Sequence, residues 1–450
     1  VKRNSGAVAV DLGAGSARYA EGWIEDGILR FSVVRQTPHQ PIEQDGRLQW
    51  NLEALLGLAR EAAAHAEASF ESATLAIDSW GVDHGFLSEG RLVQPVVCYR
   101  DRSHERVFQE MSERRSWLYR RTGIQHQPFN TVYQLIARRQ EDPTLPSRAE
   151  WRILPDLLGA LLAGDRNHEL TEASTTQLMG LDGQWDEEIF RWIGWPVPKE
   201  PPAAPGTLGP SLSGTIRLAR VGSHDTASAV IGLGRLDPED LFVNVGTWSL
   251  AGKVYDRPCA NLELAEKAAL THERGADGRF RVLANIPGFY VINRLHEELG
   301  IQAPVPEWLA TARPFDALLD LMRPEFFNPD SMVDLCRSQL ARPPHSPEEW
   351  AFVALRSLAE AVRGQIDSHM KVTGTPTRRI RVGGGGSQSQ AFCQMLADVC
   401  QVPVLAGPAE ATLAGNLGAQ FLASGDLESW AEVASLMDRS ANPIRYEAAS

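Results

Sequence analysis

A duplicated α/β architecture is the fold class this sequence predicts, and three observations lead to it. At 450 residues the chain exceeds what one hydrophobic core ordinarily supports, so two or three domains follow from a prior of ~150 residues each. One succession of strand, glycine turn, strand, helix and strand stands near the N-terminus. The same succession recurs in the second half, over a distance far too long for a short-period repeat array.

The elements can be justified in order. Ala7-Val8-Ala9-Val10 is a short strand of the buried type, and Asp11-Leu12-Gly13-Ala14-Gly15-Ser16 follows it as a tight turn. Tyr19 to Ile24 and Ile28 to Val34 read as returning strands. Leu52, Leu55, Leu56, Ala59, Ala62, Ala63 and Ala66 recur at three- and four-residue spacing, which predicts an amphipathic helix over 52–68. It leads into a strand, Thr74 to Ile77, that ends at Asp78-Ser79-Trp80-Gly81. The second half opens with strand Leu241 to Val245, a turn at Gly246-Thr247 and a strand from Trp248 to Val254. A helix with Phe352, Leu355, Ala359, Val362 and Ile366 on one face then leads into strand Arg379 to Val382 and the run Gly383 to Gly386. Phe392, Met395, Leu396 and Val399 mark a helix behind that run. The boundary falls near Gly232 to Pro238 and divides the chain into 1–233 and 234–450. Pro198 to Gly214, rich in Pro, Gly and Ser, is predicted to be an exposed connection.

Composition narrows the functional classes. Hydrophobic residues make up 43% and charged residues 22%, the balance of a globular chain with a sizeable core. Lys plus Arg is 44 and Asp plus Glu is 57, so the formal charge of −13 gives no long-range field to draw nucleic acid or an anionic membrane. An anionic ligand must then be held by short-range devices: backbone N–H groups, a helix N-terminus or a divalent cation. The five cysteines are scattered and show no C-x-x-C spacing, which suits a reducing compartment. Lys2 and Arg3 precede an apolar stretch that Asp11 and its glycines interrupt, and no apolar run reaches the ~20 residues of a membrane span. A cytoplasmic protein with a small-molecule substrate is expected, without nucleic-acid or membrane partners; its oligomeric state is not legible.

Several stretches can carry chemistry, each beside a structural alternative. The turn Asp11 to Ser16 ends a strand in a carboxylate followed by small residues, so backbone N–H groups can approach phosphate oxygens and Asp11 can position hydrated Mg²⁺. A strand followed by a plain glycine hairpin reads the same way. Asn244-Val245-Gly246-Thr247-Trp248-Ser249 is the counterpart turn of the second half. The run Gly383 to Gly386 between strand and helix lets a nucleotide lie close to the chain, or is simply a flexible turn; it has neither G-x-G-x-x-G nor P-loop spacing. Ser223-His224-Asp225-Thr226 precedes the apolar run Ala229 to Ile231, which puts Asp225 at or near a helix N-terminus. Most such aspartates are caps; the functional alternative is a general base that takes a hydroxyl proton during phosphoryl transfer. Asp78 to His84, Tyr99 to Asp101, Pro128 to Thr131 and Ser174 to Gln177 are dense in hydrogen-bonding groups and suit either a sugar lining or a buried network.

In their order along the chain these stretches resemble the FGGY family of carbohydrate kinases. The resemblance rests on Asp11 to Ser16, Asp78 to Asp83, Tyr99 to Asp101, Pro128 to Thr131 with Tyr133 to Leu135, Thr175 to Leu178, Ser223 to Thr226, Val245 to Leu250 and Gly384 to Gln388. It is strongest to the branch of that family acting on L-rhamnulose. It implies a two-domain actin-like ATPase fold built from duplicated ribonuclease H-like domains around an interdomain cleft, with the sugar mainly on 1–233 and the nucleotide mainly on 234–450. By the same resemblance Asp225 matches the catalytic base, and Gly81, His224, Asp225, Thr226 and Asn285 match sugar-contacting positions. Ala14, Gly15, Ser16, Ala17, Arg18, Thr247, Asn293 and Gly385 match positions that contact ATP. Gly15 and Ala17 depart from the usual small residues of the first turn, Val245 stands where serine is commoner, and Asn293 where a longer amide is expected. The expected function is ATP- and Mg²⁺-dependent phosphorylation of a small ketose at a primary hydroxyl, L-rhamnulose first and L-fuculose or a xylulose as alternatives. A sugar or nucleotide sensor on the same fold is the reading from another class.

Overall fold

The computed structural model describes residues 2–246, 249–327 and 329–449. Two compact units emerge. The first comprises Val1–Arg235, Tyr255–Val282 and Thr412–Ser440, and the second Leu236–Val254, Leu283–Ala411 and Ala441–Ser450. Two segments of the second half thus return to the first unit, which a single division at 233/234 does not contain.

The first unit is organised on a six-stranded sheet of β1 (Arg3–Leu12), β2 (Ser16–Glu25), β3 (Ile28–Pro38), β4 (Phe70–Ser79), β5 (Thr207–Ser211) and β6 (Ile216–Arg220), in the order β5-β6-β4-β1-β2-β3. The last seven residues of β1 are all buried, as its alternating Ala and Val require of a strand covered on both faces. β2 pairs antiparallel with β1 and β3 with β2, whereas β4 runs parallel to β1 and β6 parallel to β4. The parallel step from β3 to β4 needs a crossover, which α1 (Leu52–Ser69) supplies. Asn51 caps α1 by accepting the Ala54 N–H, and Leu55, Leu56, Ala59, Ala62 and Ala66 form its buried face. On that side of the sheet they pack with Val8, Val10, Leu12, Leu75 and Ile77. On the other side Ala7, Ala9 and Ala20 meet Leu413, Ala414, Leu417 and Phe421 of a helix that belongs to the same unit.

The segment expected to be an exposed connection contributes β5, the sheet edge, paired antiparallel with β6 across a register shift between Leu208 and Ser211. Thr-Leu-Gly-Pro-Ser has no alternation that would mark a strand. An edge position tolerates Pro210 because only one side of the strand pairs.

The second unit repeats the plan. Its strands are β7 (Asp240–Val245), β8 (Ser249–Tyr255), β10 (Phe280–Ile286), β11 (Arg379–Gly383), β12 (Val404–Ala406) and β13 (Ile444–Tyr446), in the order β10-β8-β7-β11-β12-β13; β9 (Thr271–Arg274) precedes β10 in the chain. β8 is antiparallel to β7, β11 parallel to β7 and β12 parallel to β11, matching the β2, β4 and β6 relations of the first sheet. The predicted amphipathic helix is the 27-residue stretch Pro347–Thr373, capped by Ser346 and ended by left-handed Gly374. Its Ala351, Leu355, Leu358, Ala359 and Val362 share one core with Leu241, Val243, Ile380 and Val382, and with Phe392 and Leu396 of the helix Gln390–Cys400. No helix among the described residues is long and apolar enough to cross a membrane.

Candidate active site

The register of the first sheet assembles the site. At its carboxyl edge β1 places Asp11 opposite Asp78 of β4 and opposite Arg18 of β2. Arg18 donates from Nε at 2.9 Å and Nη2 at 2.7 Å to the same oxygen, Asp11 Oδ2. Asp78 is fully buried. Its Oδ2 accepts from Asn416 of the helix Ala411–Ser424. Gln420, one turn on, donates to Asn416 Oδ1 at 2.7 Å and to the Val8 carbonyl at 3.0 Å, locking that helix to β1. Burial, then the neighbouring Asp11, pushes the Asp78 carboxyl well above the usual range, so it holds a proton where an exposed aspartate is ionised.

Asp225 begins the helix Asp225–Gly232, directly after the N-cap residue His224, and it is the acid of the helix's first turn rather than its cap. Its Oδ1 accepts the Thr226 hydroxyl at 3.0 Å, and 28% of its side chain stays exposed, enough for a substrate to reach. The loop before it is fixed from behind. Ser223 N–H donates to Glu169 Oε2 at 3.2 Å and His224 N–H to Thr171 Oγ1 at 3.1 Å, while Ser79 N–H at the end of β4 donates to the Ser223 carbonyl at 2.8 Å. The sequence thereby delivers Asp225 beside the ends of β1 and β4. Burial raises its carboxyl above the ordinary aspartate range, and Asp11 adds to it.

The turn after β1 closes through Gly13 N–H to the Ser16 carbonyl at 3.0 Å. His39 then holds it twice: its backbone N–H donates to the Gly15 carbonyl at 3.2 Å and its ring Nε2 to the Gly13 carbonyl at 2.7 Å. Ala14, Gly15 and Ser16 form the tip of this turn, and Ala17 and Arg18 begin β2. Gly81 follows β4, so close to Thr175 that a Cβ there would lie 3.2 Å from its hydroxyl. Val82 has φ of 73°, a costly conformation for a β-branched residue. Its carbonyl accepts the Thr131 hydroxyl at 2.7 Å, which helps to hold it there.

The other stretches read as possible sugar linings form a largely buried network. Trp50 and Trp80 both donate to Asp83 Oδ2, at 2.6 and 2.8 Å; Gln134 donates to the Phe129 carbonyl and Gln177 to the Ile124 carbonyl, each at 2.7 Å. These bonds hold the loops together.

In the second unit Gly384 has φ of 77°, and a Cβ there would meet the Val245 carbonyl oxygen at 2.7 Å. At Gly386 it would meet the Val245 side chain at 2.2 Å, whereas at Gly385 nothing lies within 4 Å. Two glycines of the run are therefore required by packing against the end of β7, and Gly385 presents open backbone. Asn285 is half-buried on β10, and Asn293 is exposed on the helix Gly288–Glu298. Thr247 lies outside the described residues.

His39, Asn416 and Gln420 were not singled out by sequence reasoning. Each is far from the motif it supports, and only topology brings it there.

Among the described residues no group of three or more His, Cys, Asp or Glu side chains could hold a metal unaided. The oxygen donors at the strand ends nonetheless suit a hard cation such as Mg²⁺, which ordinarily takes one or two carboxylates together with waters and substrate phosphates.

Two sheets of one repeated plan, the first with acidic residues at its carboxyl edge and the second with a glycine turn at its own, have the architecture of the actin-like ATPase fold. Residues 7–207 match the N-terminal domain of the FGGY family of carbohydrate kinases and residues 241–424 its C-terminal domain; the chain belongs to this family. It is 35% identical over 441 residues to a rhamnulokinase from Pectobacterium carotovorum, covering 93% of this chain and 88% of that protein. A rhamnulokinase from Yersinia pestis is 33% identical over 442 residues, covering 93% and 90%. Among solved structures, a ligand-bound xylulose kinase from Lactobacillus acidophilus superposes with a TM-score of 0.82 at 15% identity, covering 99% of this chain and 94% of that one. The ADP-bound glycerol kinase from Plasmodium falciparum does so at 0.78 and 14%, covering 100% and 95%. The protein is an ATP-dependent sugar kinase.

Proposed function

We propose that this kinase transfers the terminal phosphoryl group of Mg-ATP to the primary hydroxyl of L-rhamnulose, giving L-rhamnulose 1-phosphate and ADP. The observation that carries the chemistry is Asp225: a reachable carboxylate at the start of a buried helix, beside His224 and the end of the strand that carries Asp78. The choice of sugar is supported by the rhamnulokinases that share a third of their residues with almost the whole chain.

Asp225 accepts the hydroxyl proton as the sugar oxygen forms its bond to phosphorus, and the bond from phosphorus to the bridging oxygen breaks to release ADP. Gly81, His224, Thr226 and Asn285 hold the sugar. Ala14, Gly15, Ser16, Ala17 and Arg18 meet the phosphates from one side and Thr247 from the other, and Asn293 and Gly385 meet the rest of the nucleotide. Mg²⁺, held by Asp11 through water and by phosphate oxygens, would neutralise charge on the transferring group. A cytoplasmic setting fits the scattered cysteines, and a small-molecule partner rather than nucleic acid fits the formal charge of −13.

ADP release with L-rhamnulose, L-fuculose, L-xylulose and D-xylulose tests the reading. L-Rhamnulose should give the highest kcat/KM; a higher value for another ketose would reassign the substrate.

A further inference from the structure

Behind His224 stands a buried ion pair for which the proposed chemistry has no use. Arg281, on β10, is fully buried, and Glu273, on the neighbouring β9, is 6% exposed. The turn joining these strands is closed by Gly275 N–H to the Arg279 carbonyl at 2.7 Å and Gly278 N–H to the Gly275 carbonyl at 3.0 Å. Arg281 Nη2 lies 3.0 Å from Glu273 Oε2 and 3.1 Å from His224 Nδ1, and its Nε donates to the Arg274 carbonyl at 3.0 Å.

We infer that Arg281 and Glu273 are positioning residues that fix His224 in the tautomer with its proton on Nε2, presenting one ring donor beside the Asp225 carboxylate for an oxygen of the bound sugar. The inference rests on the reading of this loop as the sugar site.

A guanidinium can only donate. An Nη2–H aimed at Nδ1 leaves no room for a proton on that nitrogen, so Nδ1 accepts and the neutral ring carries its proton on Nε2. Glu273 Oε2, 3.2 Å from the same Nδ1, would by itself invite the opposite tautomer. The guanidinium N–H directed at Nδ1 decides between them. A buried guanidinium without a counter-ion is costly, and Glu273 supplies one. Burial pushes the Glu273 carboxyl up, but Arg281 beside it brings it below the usual range. His224 Nε2 lies 3.7 Å from Asp225 Oδ1, too far for a hydrogen bond, so its donor is not spent on the carboxylate. A hydroxyl lying next to both can donate to Asp225 and accept from His224. The charged groups around the ring are Asp225, Glu273 and Arg281, with Glu169 and Glu172 acting on Arg281 from further out.

The test uses the full-length enzyme and the double variant Glu273→Gln/Arg281→Met, which removes both charges and leaves neither ion buried alone. ¹⁵N NMR of His224 should find the proton on Nε2 in the wild type and a loss of that preference in the double variant. The KM for L-rhamnulose should rise ~10- to 100-fold, by analogy with the loss of an outer partner that orients a metal-ligating histidine, with the KM for Mg-ATP unchanged. A proton on Nδ1 in the wild type overturns the inference, and that measurement stands even if the variant fails to fold. So does an unchanged L-rhamnulose KM in a folded double variant. Undiminished kcat in Asp225→Asn would instead overturn the base assignment, leaving the tautomer result as it stands.

Discussion

Asp225 must be ionised to accept a proton, and its carboxyl is raised chiefly by burial. kcat should therefore fall on the acid side with an apparent pKa above the ordinary aspartate value of about 4. A pH–rate profile flat down to that value would contradict the role. Asp225→Asn should lower kcat by ~10²- to 10⁴-fold, roughly 3–5 kcal/mol of barrier, without disturbing the fold. The N-cap position belongs to His224, so no cap bond is lost with the carboxylate. Full turnover with a lowered melting temperature would return Asp225 to a structural role. Its place at a helix start was legible from the apolar run that follows it. The supports were not: Thr171 and Glu169 bond the backbone of this loop from 53 and 54 residues away, and nothing in local spacing encodes such a pairing.

At the scale of elements, the glycines separate packing from ligand contact. Gly384→Ala adds a Cβ against a backbone carbonyl at positive φ and should cost about 1–3 kcal/mol of stability. Gly385→Ala adds one into open space and should leave stability alone while raising the KM for ATP. Equal melting temperatures for the two variants would remove the distinction. A Cβ on Gly415 would lie 1.8 Å from the Ser228 carbonyl oxygen, in the helix that Asp225 begins. Gly415→Ala should thus destabilise by about 1–3 kcal/mol and lower kcat as well, measured by melting and turnover on one preparation. The β1 and β4 strands and the two amphipathic helices announced themselves by burial pattern and period. β5 did not, because an edge strand containing Pro and Gly carries no periodic signal.

For the whole molecule, buried carboxyls dominate the pH response above neutrality. Burial raises Asp83 and Glu169 to about 7, and Asp78, Asp156 and Glu172 well above the usual range. Where the folded state keeps a proton that the unfolded chain has released, stability falls as pH rises. Below about 6.5 the buried histidines oppose this, since His84 is lowered to about 3 and His104, His126 and His272 to about 4. Above it they are neutral in both states, and the several raised carboxyls outweigh Lys253, which burial lowers to about 8 and which opposes them only toward the top of the range. The denaturant midpoint should drop from pH 6.5 to 8, and Asp83→Asn should make that drop shallower; a rise over this range would contradict the assignment.

The duplicated plan was readable because both halves carry the same order of strands, turn and helix. The return of Tyr255–Val282 and Thr412–Ser440 to the first unit was not, since tertiary packing decides it. The most direct measurement is ADP formation from Mg-ATP with L-rhamnulose as the sole acceptor, for the wild type beside Asp225→Asn. Sugar-dependent ADP in the wild type, falling ~10²- to 10⁴-fold in the variant, is the expected result. Equal sugar-dependent rates in the two proteins would contradict it.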